Sequence, residues 1–330
     1  MELYPIRFTP IFKEKIWGGK ALKEVLNKKT NSDKLGESWE ISAVQNDISV
    51  VSNGHLEGNT LEELISIYMG DLVGEAIFEK FGIEFPLLFK FIDANDKLSI
   101  QVHPDDELAK KRHQAYGKTE MWYIVDAEKD ANIIIGFNKE IDKAEYLEAV
   151  RENRLVDLLN TEKVQKADAF YIPSGRIHAI GKGVLLAEIQ QTSDITYRIY
   201  DWDRKDADGN GRELHTDWAI DALDYKFYKQ YKIPYEQTDN ETSNLVDSPF
   251  FTSNLLHLNK QIETDYTILD SFVVYMCVEG AVEIRMEDAD AEILKKGESI
   301  LIPAIAELVQ LNPLEKSDLL EIFIKPNKIK

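Results

Sequence analysis

The residues best suited to chemistry lie between positions 98 and 125, in the sequence LSIQVHPDDELAKKRHQAYGKTEMWYIV. Side chains two residues apart share one face of a strand, so Gln101 and His103 point the same way. Pro104 ends that strand because it lacks a ladder donor, and a second extended run then carries Glu120. An amide oxygen, an imidazole and a carboxylate on neighbouring strands can converge on one metal ion.

A third extended segment, FYIPSGRIHAIG at 170–181, can complete such a centre. Pro173 and Gly175 indicate a tight turn, after which His178 opens the next strand. A lone strand histidine is usually a hydrogen-bonding residue, so the prediction depends on the combination. The predicted ligands are Gln101, His103, Glu120 and His178. Their formal charge of about −1 would become about +1 with a divalent ion, which suits stabilisation of a substrate oxyanion.

The composition excludes two classes of partner. The 330 residues carry a formal net charge of −20, whereas binding to nucleic acid or to an anionic membrane surface requires clustered Lys and Arg. The single Cys277 allows no intrachain disulfide and indicates a reducing compartment. The N-terminal residues lack the apolar segment of a signal peptide, and no apolar run approaches transmembrane length. We therefore expect a soluble, cytoplasmic protein.

Extended segments dominate the chain around these candidate residues. Helical periodicity interrupts them in the N-terminal half, in insertions at about 55–82, 104–117 and 141–160. Thr60 and Glu63 have the spacing of a capping box near the start of the first insertion. The pattern predicts a mainly β protein in which helices are additions to the sheets.

The chain contains one internal repeat. The sequence KADAFYIPSGRIH at 166–178 aligns without gaps to KGESILIPAIAEL at 296–308, and the final histidine of the first copy is matched by a leucine. We expect two related β-barrels or sandwiches, of which the first alone keeps the metal ligands. The polar stretch EQTDNETSN between the copies predicts a boundary between domains 1–235 and 236–330.

Two kinds of motif support a family assignment. Pro-x-Gly-x-x-His before a strand, together with Gln-x-His and a later Glu, resembles the motifs of the cupin superfamily. The segments GESWEIS, FIDANDKLSIQVHPDD, GKTEMWYI, IPSGRIHAIG and AEIQQTSDITYRIYDWDR are similar to type I mannose-6-phosphate isomerases over roughly residues 1–235, and GKTE resembles the short bacterial branch. The resemblance implies two cupin-like (jelly-roll) β-barrels, with helical insertions in the N-terminal half.

The resemblance also implies an activity and a set of site residues. The reaction is a zinc-dependent aldose–ketose isomerisation of mannose 6-phosphate and fructose 6-phosphate through an enediol or enediolate. The implied zinc ligands are Gln101, His103, Glu120 and His178, with Gln101 absent from the ligand set of some short-branch members. The implied catalytic residues are Arg198, Glu188 and Lys118. The implied substrate-binding residues are Ser99, Lys90, Lys118, Asp194 and Arg198.

Moving a carbonyl between C1 and C2 requires a base within hydrogen-bond reach of the transferred proton. Glu188, a neutral Lys118, or a water relay through Asp194 could act in this way. These alternatives stay open, with Glu188 preferred.

The net charge of −20 opposes binding of a phosphodianion, so the assignment requires a local cationic patch. Arg198 suits phosphate or enediolate geometry, and its alternative is a salt bridge to Asp201 or Asp203. Lys90 lies in an apolar run and either contacts substrate or reaches solvent from an edge strand.

Two other classes of function fit the same residues. Two histidines and one carboxylate also suit iron, which would make the protein a metal-dependent cupin oxygenase. A non-enzymatic sugar-binding or regulatory cupin could retain the ligands for structure. Under the preferred assignment the partner is a small-molecule hexose 6-phosphate, and the protein is a monomer or a homodimer.

Overall fold

The computed structural model describes residues 3–205, 209–287 and 289–329. The strands of the first half are β1 (Ile11–Gly19), β2 (Leu35–Ile41), β3 (Ala43–Val44), β4 (Asp47–Ile48), β5 (Leu87–Ala94), β6 (Ile100–Val102), β7 (Glu120–Ala127), β8 (Asn132–Phe137), β9 (Leu159–Lys163), β10 (Ala169–Ile172), β11 (His178–Ile180), β12 (Val184–Gln191) and β13 (Tyr197–Tyr200). Those of the second half are β14 (Thr242–Asp247), β15 (Thr252–Leu258), β16 (Ile262–Asp265), β17 (Val273–Glu279), β18 (Ala281–Met286), β19 (Glu292–Lys295), β20 (Ser299–Ile302), β21 (Leu308–Pro313) and β22 (Ser317–Phe323).

The helices lie mainly in the first half. They are α1 (Ala21–Glu24), α2 (Leu61–Tyr68), α3 (Gly70–Val73), α4 (Glu75–Phe81), α5 (Asp106–His113), α6 (Lys143–Arg151) and α7 (Thr216–Ala222), with 3-10 turns at Gly54–Leu56, Leu155–Leu158 and Pro326–Lys328. Within the described ranges, none of these helices has the length and apolar character that crossing a bilayer requires.

The first half is a sandwich of two antiparallel sheets. One sheet has the order β1-β2-β5-β12-β7-β10, and the other has the order β13-β6-β11-β8-β9. Strand alternation turns Trp122 and Phe170 of the first sheet towards Ile133 and Ile180 of the second, and these side chains form one buried cluster. The apolar face of each sheet is thereby removed from water.

The second half repeats this arrangement. Its sheets have the orders β14-β15-β22-β17-β20 and β16-β21-β18-β19. The two copies of the sequence repeat form β10–β11 and β20–β21, which hold equivalent places in the two halves. The predicted mainly β class with two related β units is confirmed. The domain boundary between 1–235 and 236–330 stays a prediction.

The largest apolar cluster lies between the six-stranded sheet of the first half and the five-stranded sheet of the second half. Phe89 and Met121 of the first half join Val274 and Leu320 of the second in this cluster. Helices α2 to α4 pack against it through side chains that include Leu64. Because apolar burial is the main favourable term in folding, this contact holds the two sandwiches together.

The three helical insertions are present, but their ends differ from the predicted bounds: α2 begins at Leu61, and α5 ends at His113. Thr60 Oγ1 accepts from Glu63 N, and Thr60 N donates to Glu63 Oε2, so the predicted capping box is confirmed. The segment predicted as helical at 141–160 is helical only to Arg151 and ends in β9. Asn153 adopts a φ of 56°, a left-handed conformation that is incompatible with a continuing right-handed helix.

Candidate active site

The predicted metal ligands come from both sheets of the first sandwich. Glu120 begins β7 in the six-stranded sheet, whereas His178 begins β11 in the five-stranded sheet. Gln101 on β6 lies directly opposite His178 in the antiparallel register, and His103 follows the end of β6. The turn predicted around Pro173 therefore brings the third segment back beside the first.

The side chains of His103, Glu120 and His178 meet between the sheets. Nε2 of His103 lies 3.5 Å from Glu120 Oε2, and Nε2 of His178 lies 3.4 Å from Glu120 Oε1. The candidate ligand atoms of all three residues lie within 4.8 Å of one another. Gln101 Nε2 is 3.2 Å from His178 Nε2, and turning the amide over would place its oxygen there instead.

Backbone carbonyls set the orientation of both imidazoles. His103 Nδ1 donates to the Ile195 carbonyl at 2.9 Å, and His178 Nδ1 donates to the Arg176 carbonyl at 2.8 Å. Each Nε2 therefore carries a lone pair that faces Glu120. Such a hydrogen bond on the second ring nitrogen is the usual arrangement for a metal-binding histidine.

The electrostatics of the cluster fit a divalent cation. Burial lowers the pKa of His178 to about 4 and the pKa of His103 well below its ordinary value, so both rings are neutral. Burial and the nearby Glu188 raise the pKa of Glu120 to about 8. Among the described residues, His103 Nε2 and both Glu120 oxygens are buried without a hydrogen-bond partner. Unpaired buried acceptors are costly, and zinc uses this set of donors.

A cavity of about 470 Å³ lies beside this cluster, and its lining includes Gln101, which contacts His178, and Lys118, which contacts Glu120. Lys118 Nζ lies 3.4 Å from Glu120 Oε2, an ion-pair contact without hydrogen-bond geometry. The predicted catalytic and substrate-binding residues all line the cavity: Lys90, Ser99, Lys118, Glu188, Asp194 and Arg198. The structure thus brings every predicted site residue to the His103–Glu120–His178 cluster, to its neighbour Gln101, or to the adjoining cavity.

Glu188 is fixed by two donors on neighbouring strands. Lys90 Nζ lies 3.0 Å from its Oε1, and Trp122 Nε1 donates to its Oε2 at 2.9 Å. Burial alone would raise the pKa of Glu188, but Lys90 and Lys118 hold it below its ordinary value. The edge-strand interpretation of Lys90 is wrong, because β5 is an inner strand of the sheet and Lys90 is only 5% exposed.

Arg198 extends from β13 into the same cavity. The alternative interpretation, a salt bridge to Asp201 or Asp203, is wrong for the described part of the chain. Asp201 is occupied by Arg204 and Arg212, with N–O distances of 2.5 Å in each pair, and Asp203 accepts from a tyrosine hydroxyl. The Arg198 guanidinium therefore faces the cavity without a carboxylate partner among the described residues.

Eleven further residues line the cavity that were not predicted as site residues, among them Lys13, Lys15, Trp17 and Arg212. The first three occupy alternate positions of β1, so strand periodicity could have placed them on one face. Arg212 follows a turn-rich loop, where no periodicity predicts direction. The lining holds six cations and four carboxylates, so it is less acidic than the chain as a whole.

Fold and site together define a class: a cupin-fold protein whose first β sandwich holds a buried His–Glu–His cluster able to bind a metal ion. Residues 6–152 match the model of the phosphomannose isomerase type I catalytic domain. Mannose-6-phosphate isomerase ManA of Bacillus subtilis (strain 168) is 39% identical over 310 residues, which cover 92% of this chain and 94% of that protein.

Two further comparisons indicate the same family. The mannose-6-phosphate isomerase of Streptococcus mutans serotype c is 38% identical over 291 residues, covering 88% of this chain and 89% of that protein. The crystal structure of the mannose 6-phosphate isomerase from Bacillus subtilis superposes with a TM-score of 0.87 at 35% identity, covering 97% of this chain and 99% of that chain. The chain belongs to the type I mannose-6-phosphate isomerase family of enzymes.

Proposed function

We propose that this chain interconverts mannose 6-phosphate and fructose 6-phosphate, with zinc bound by Gln101, His103, Glu120 and His178. One observation carries the proposal: a buried His–Glu–His cluster with unpartnered acceptor atoms lies beside a cavity whose lining holds more cations than carboxylates. Relatives that align over most of the chain are named for this activity.

The chain's own residues would divide the chemistry among them. When bound, zinc would act as a Lewis acid that polarises the carbonyl and hydroxyl oxygens of the sugar. Glu188 is our choice for proton transfer, because it lines the cavity and two donors fix its position. Arg198 would stabilise the negative charge of the enediolate, since no carboxylate among the described residues pairs with its guanidinium.

The remaining cavity residues would bind and orient the substrate. Lys90, Lys118 and Ser99 are buried and suited to holding sugar hydroxyls, and Asp194 lies on the exposed side. Lys13 and Lys15 on β1 and Arg212 would contact the phosphate, each in competition with the carboxylate that it pairs with in the structure: Asp47, Glu37 and Asp201.

A coupled assay for fructose 6-phosphate formed from mannose 6-phosphate tests the proposal. We expect turnover by the zinc-loaded protein, loss of turnover when a chelator removes zinc, and recovery when zinc is restored. Metal content measured by mass spectrometry on the same samples separates metal loss from unfolding. Oxygen consumption with an iron-loaded sample, and no isomerisation by folded zinc-loaded protein, would instead favour an oxygenase. Absence of both activities would favour a non-enzymatic cupin.

A further inference from the structure

Arg198 lies on the edge strand β13. On the outer side of this strand, His215 forms hydrogen bonds with the Arg198 backbone. Strand β13 is the last strand of its sheet, and its register against β6 shifts between Arg198 and Tyr200. Edge strands leave backbone N–H and C=O groups without a ladder partner. Here both outward groups of Arg198 contact His215: the Arg198 N–H donates to His215 Nδ1 at 3.1 Å, and the His215 N–H donates to the Arg198 carbonyl at 2.7 Å.

The segment around His215 also holds the Arg198 side chain. Arg198 Nη1 donates to the Glu213 carbonyl at 2.9 Å. Arg212 anchors this segment through two hydrogen bonds to Asp201, at 2.7 and 2.5 Å. One short stretch of chain thus fixes Arg198 at its backbone nitrogen, its carbonyl and its guanidinium.

Two contacts determine the state of the His215 ring. Its Nδ1 accepts a hydrogen bond from the Arg198 backbone, so this nitrogen carries no proton in the structure. The ring also stacks on Trp218 at a centroid distance of 5.7 Å and an interplanar angle of 24°. The first contact is to Arg198 and the second is to helix α7, so substitution can remove one while keeping the other.

We propose that His215 is a positioning residue for Arg198, acting through the Nδ1 acceptor that holds the Arg198 backbone. The inference rests on the proposed role of Arg198 in turnover. A guanidinium that stabilises developing charge must be held close to its productive place, because a misplacement of about 1 Å costs about 100-fold in rate. His215 supplies that constraint without touching the substrate cavity itself.

Two substitutions separate the hydrogen bond from the packing. His215→Phe keeps a ring against Trp218 but has no acceptor, whereas His215→Asn loses the ring and can place its amide oxygen where Nδ1 lies. We expect His215→Phe to lower kcat by about 10- to 100-fold with zinc content unchanged. We expect His215→Asn to keep kcat within about threefold, even if its melting temperature falls further. Equal losses of kcat in the two variants, or wild-type kcat in His215→Phe, would overturn the proposal.

The Arg198→Ala background distinguishes this inference from the proposed function. Arg198→Ala should lower turnover by orders of magnitude with zinc retained, and adding His215→Phe should cause no further loss, since residues acting as one unit are not additive. Independent, multiplicative losses would contradict positioning. If Arg198→Ala turns over like wild type, the proposed role of Arg198 fails first. If Arg198→Ala is impaired while His215→Phe is normal, the positioning inference alone fails.

Discussion

Replacing Lys90 with methionine removes a cation from the interior of the first sandwich. The Lys90 ammonium lies 3.0 Å from Glu188 Oε1 and 2.6 Å from Gln190 Oε1, and the side chains of Lys90 and Glu188 are only 7% and 5% exposed. Methionine fills a similar volume but leaves the Trp122 indole as the donor to Glu188. The variant therefore buries a carboxylate that has lost its ion-pair partner.

Breaking a buried ion pair by removing one partner costs about 3–5 kcal/mol, because the remaining charge is uncompensated. Lys163 and Asp130 provide a matched control, since they also lie 3.0 Å apart but their side chains are 80% and 66% exposed. An exposed pair contributes about 1 kcal/mol or less. Urea unfolding at pH 7 with saturating zinc should therefore show a large loss for Lys90→Met and a small one for Lys163→Met.

The difference between wild type and Lys90→Met should also depend on pH. Lys90 helps to hold the pKa of Glu188 below its ordinary value. The paired carboxylate therefore stabilises the fold above the unfolded-state pKa of about 4.3, and this contribution is lost as the pH falls through the lower folded-state value. Without Lys90 the buried carboxyl takes up a proton at higher pH, so the two proteins should converge as the pH falls from about 7 towards about 4.

If Lys90→Met loses no more stability at pH 7 than Lys163→Met, the buried Lys90–Glu188 pair does not stabilise the fold more than an exposed pair does. Equal m-values are required for the comparison, because a changed m-value reports a changed unfolding transition rather than a changed pair. A loss that stays constant between pH 7 and pH 4 would show that packing, and not the charge on Glu188, accounts for the effect.

Two further predictions concern the His103–Glu120–His178 cluster and the second sandwich. His178→Ala should lose zinc and turnover together, whereas His257→Ala, which alters an imidazole paired with Asp318 in the second half, should keep the zinc content measured by mass spectrometry. Burial raises the pKa of Glu321, so folding binds a proton there and stability should fall as the pH rises above the unfolded-state value of about 4.3. Glu321→Gln should flatten the dependence of unfolding free energy on pH, and an unchanged slope would contradict a neutral Glu321.

Local sequence pattern predicted the strands and the convergence of the site segments. Alternation placed Gln101 and His103 on one face, and the turn before His178 returned a third strand to them. These features depend on neighbours within a few residues. The end of α6 could not be predicted in the same way, because a left-handed Asn153 interrupts an otherwise helical pattern.

The partners of the buried charged groups could be identified only from the tertiary structure. Lys90 and Glu188 are 98 residues apart in sequence, and the sequence gives no reason to pair them rather than to place Lys90 at an edge. Arg198 could equally have met Asp201, until two other arginines were seen to occupy that carboxylate. Which side chains pair with a given charged group depends on residues that are distant in sequence. Local sequence pattern does not contain that information.

The two sandwiches differ in charge at equivalent positions more than in architecture. Across β12, Glu188 faces Lys90 on one neighbouring strand and Trp122 on the other. Across β22, Glu321 faces the neutral Asn254 and Tyr275 in the corresponding registers.

Burial raises the pKa of an acid, and a neighbouring ammonium lowers it. The pKa directions of Glu188 and Glu321 follow this rule, the first lowered by Lys90 against burial and the second raised by burial. The lysine on β5 therefore accounts for the opposite pKa directions of these two equivalent carboxyl groups.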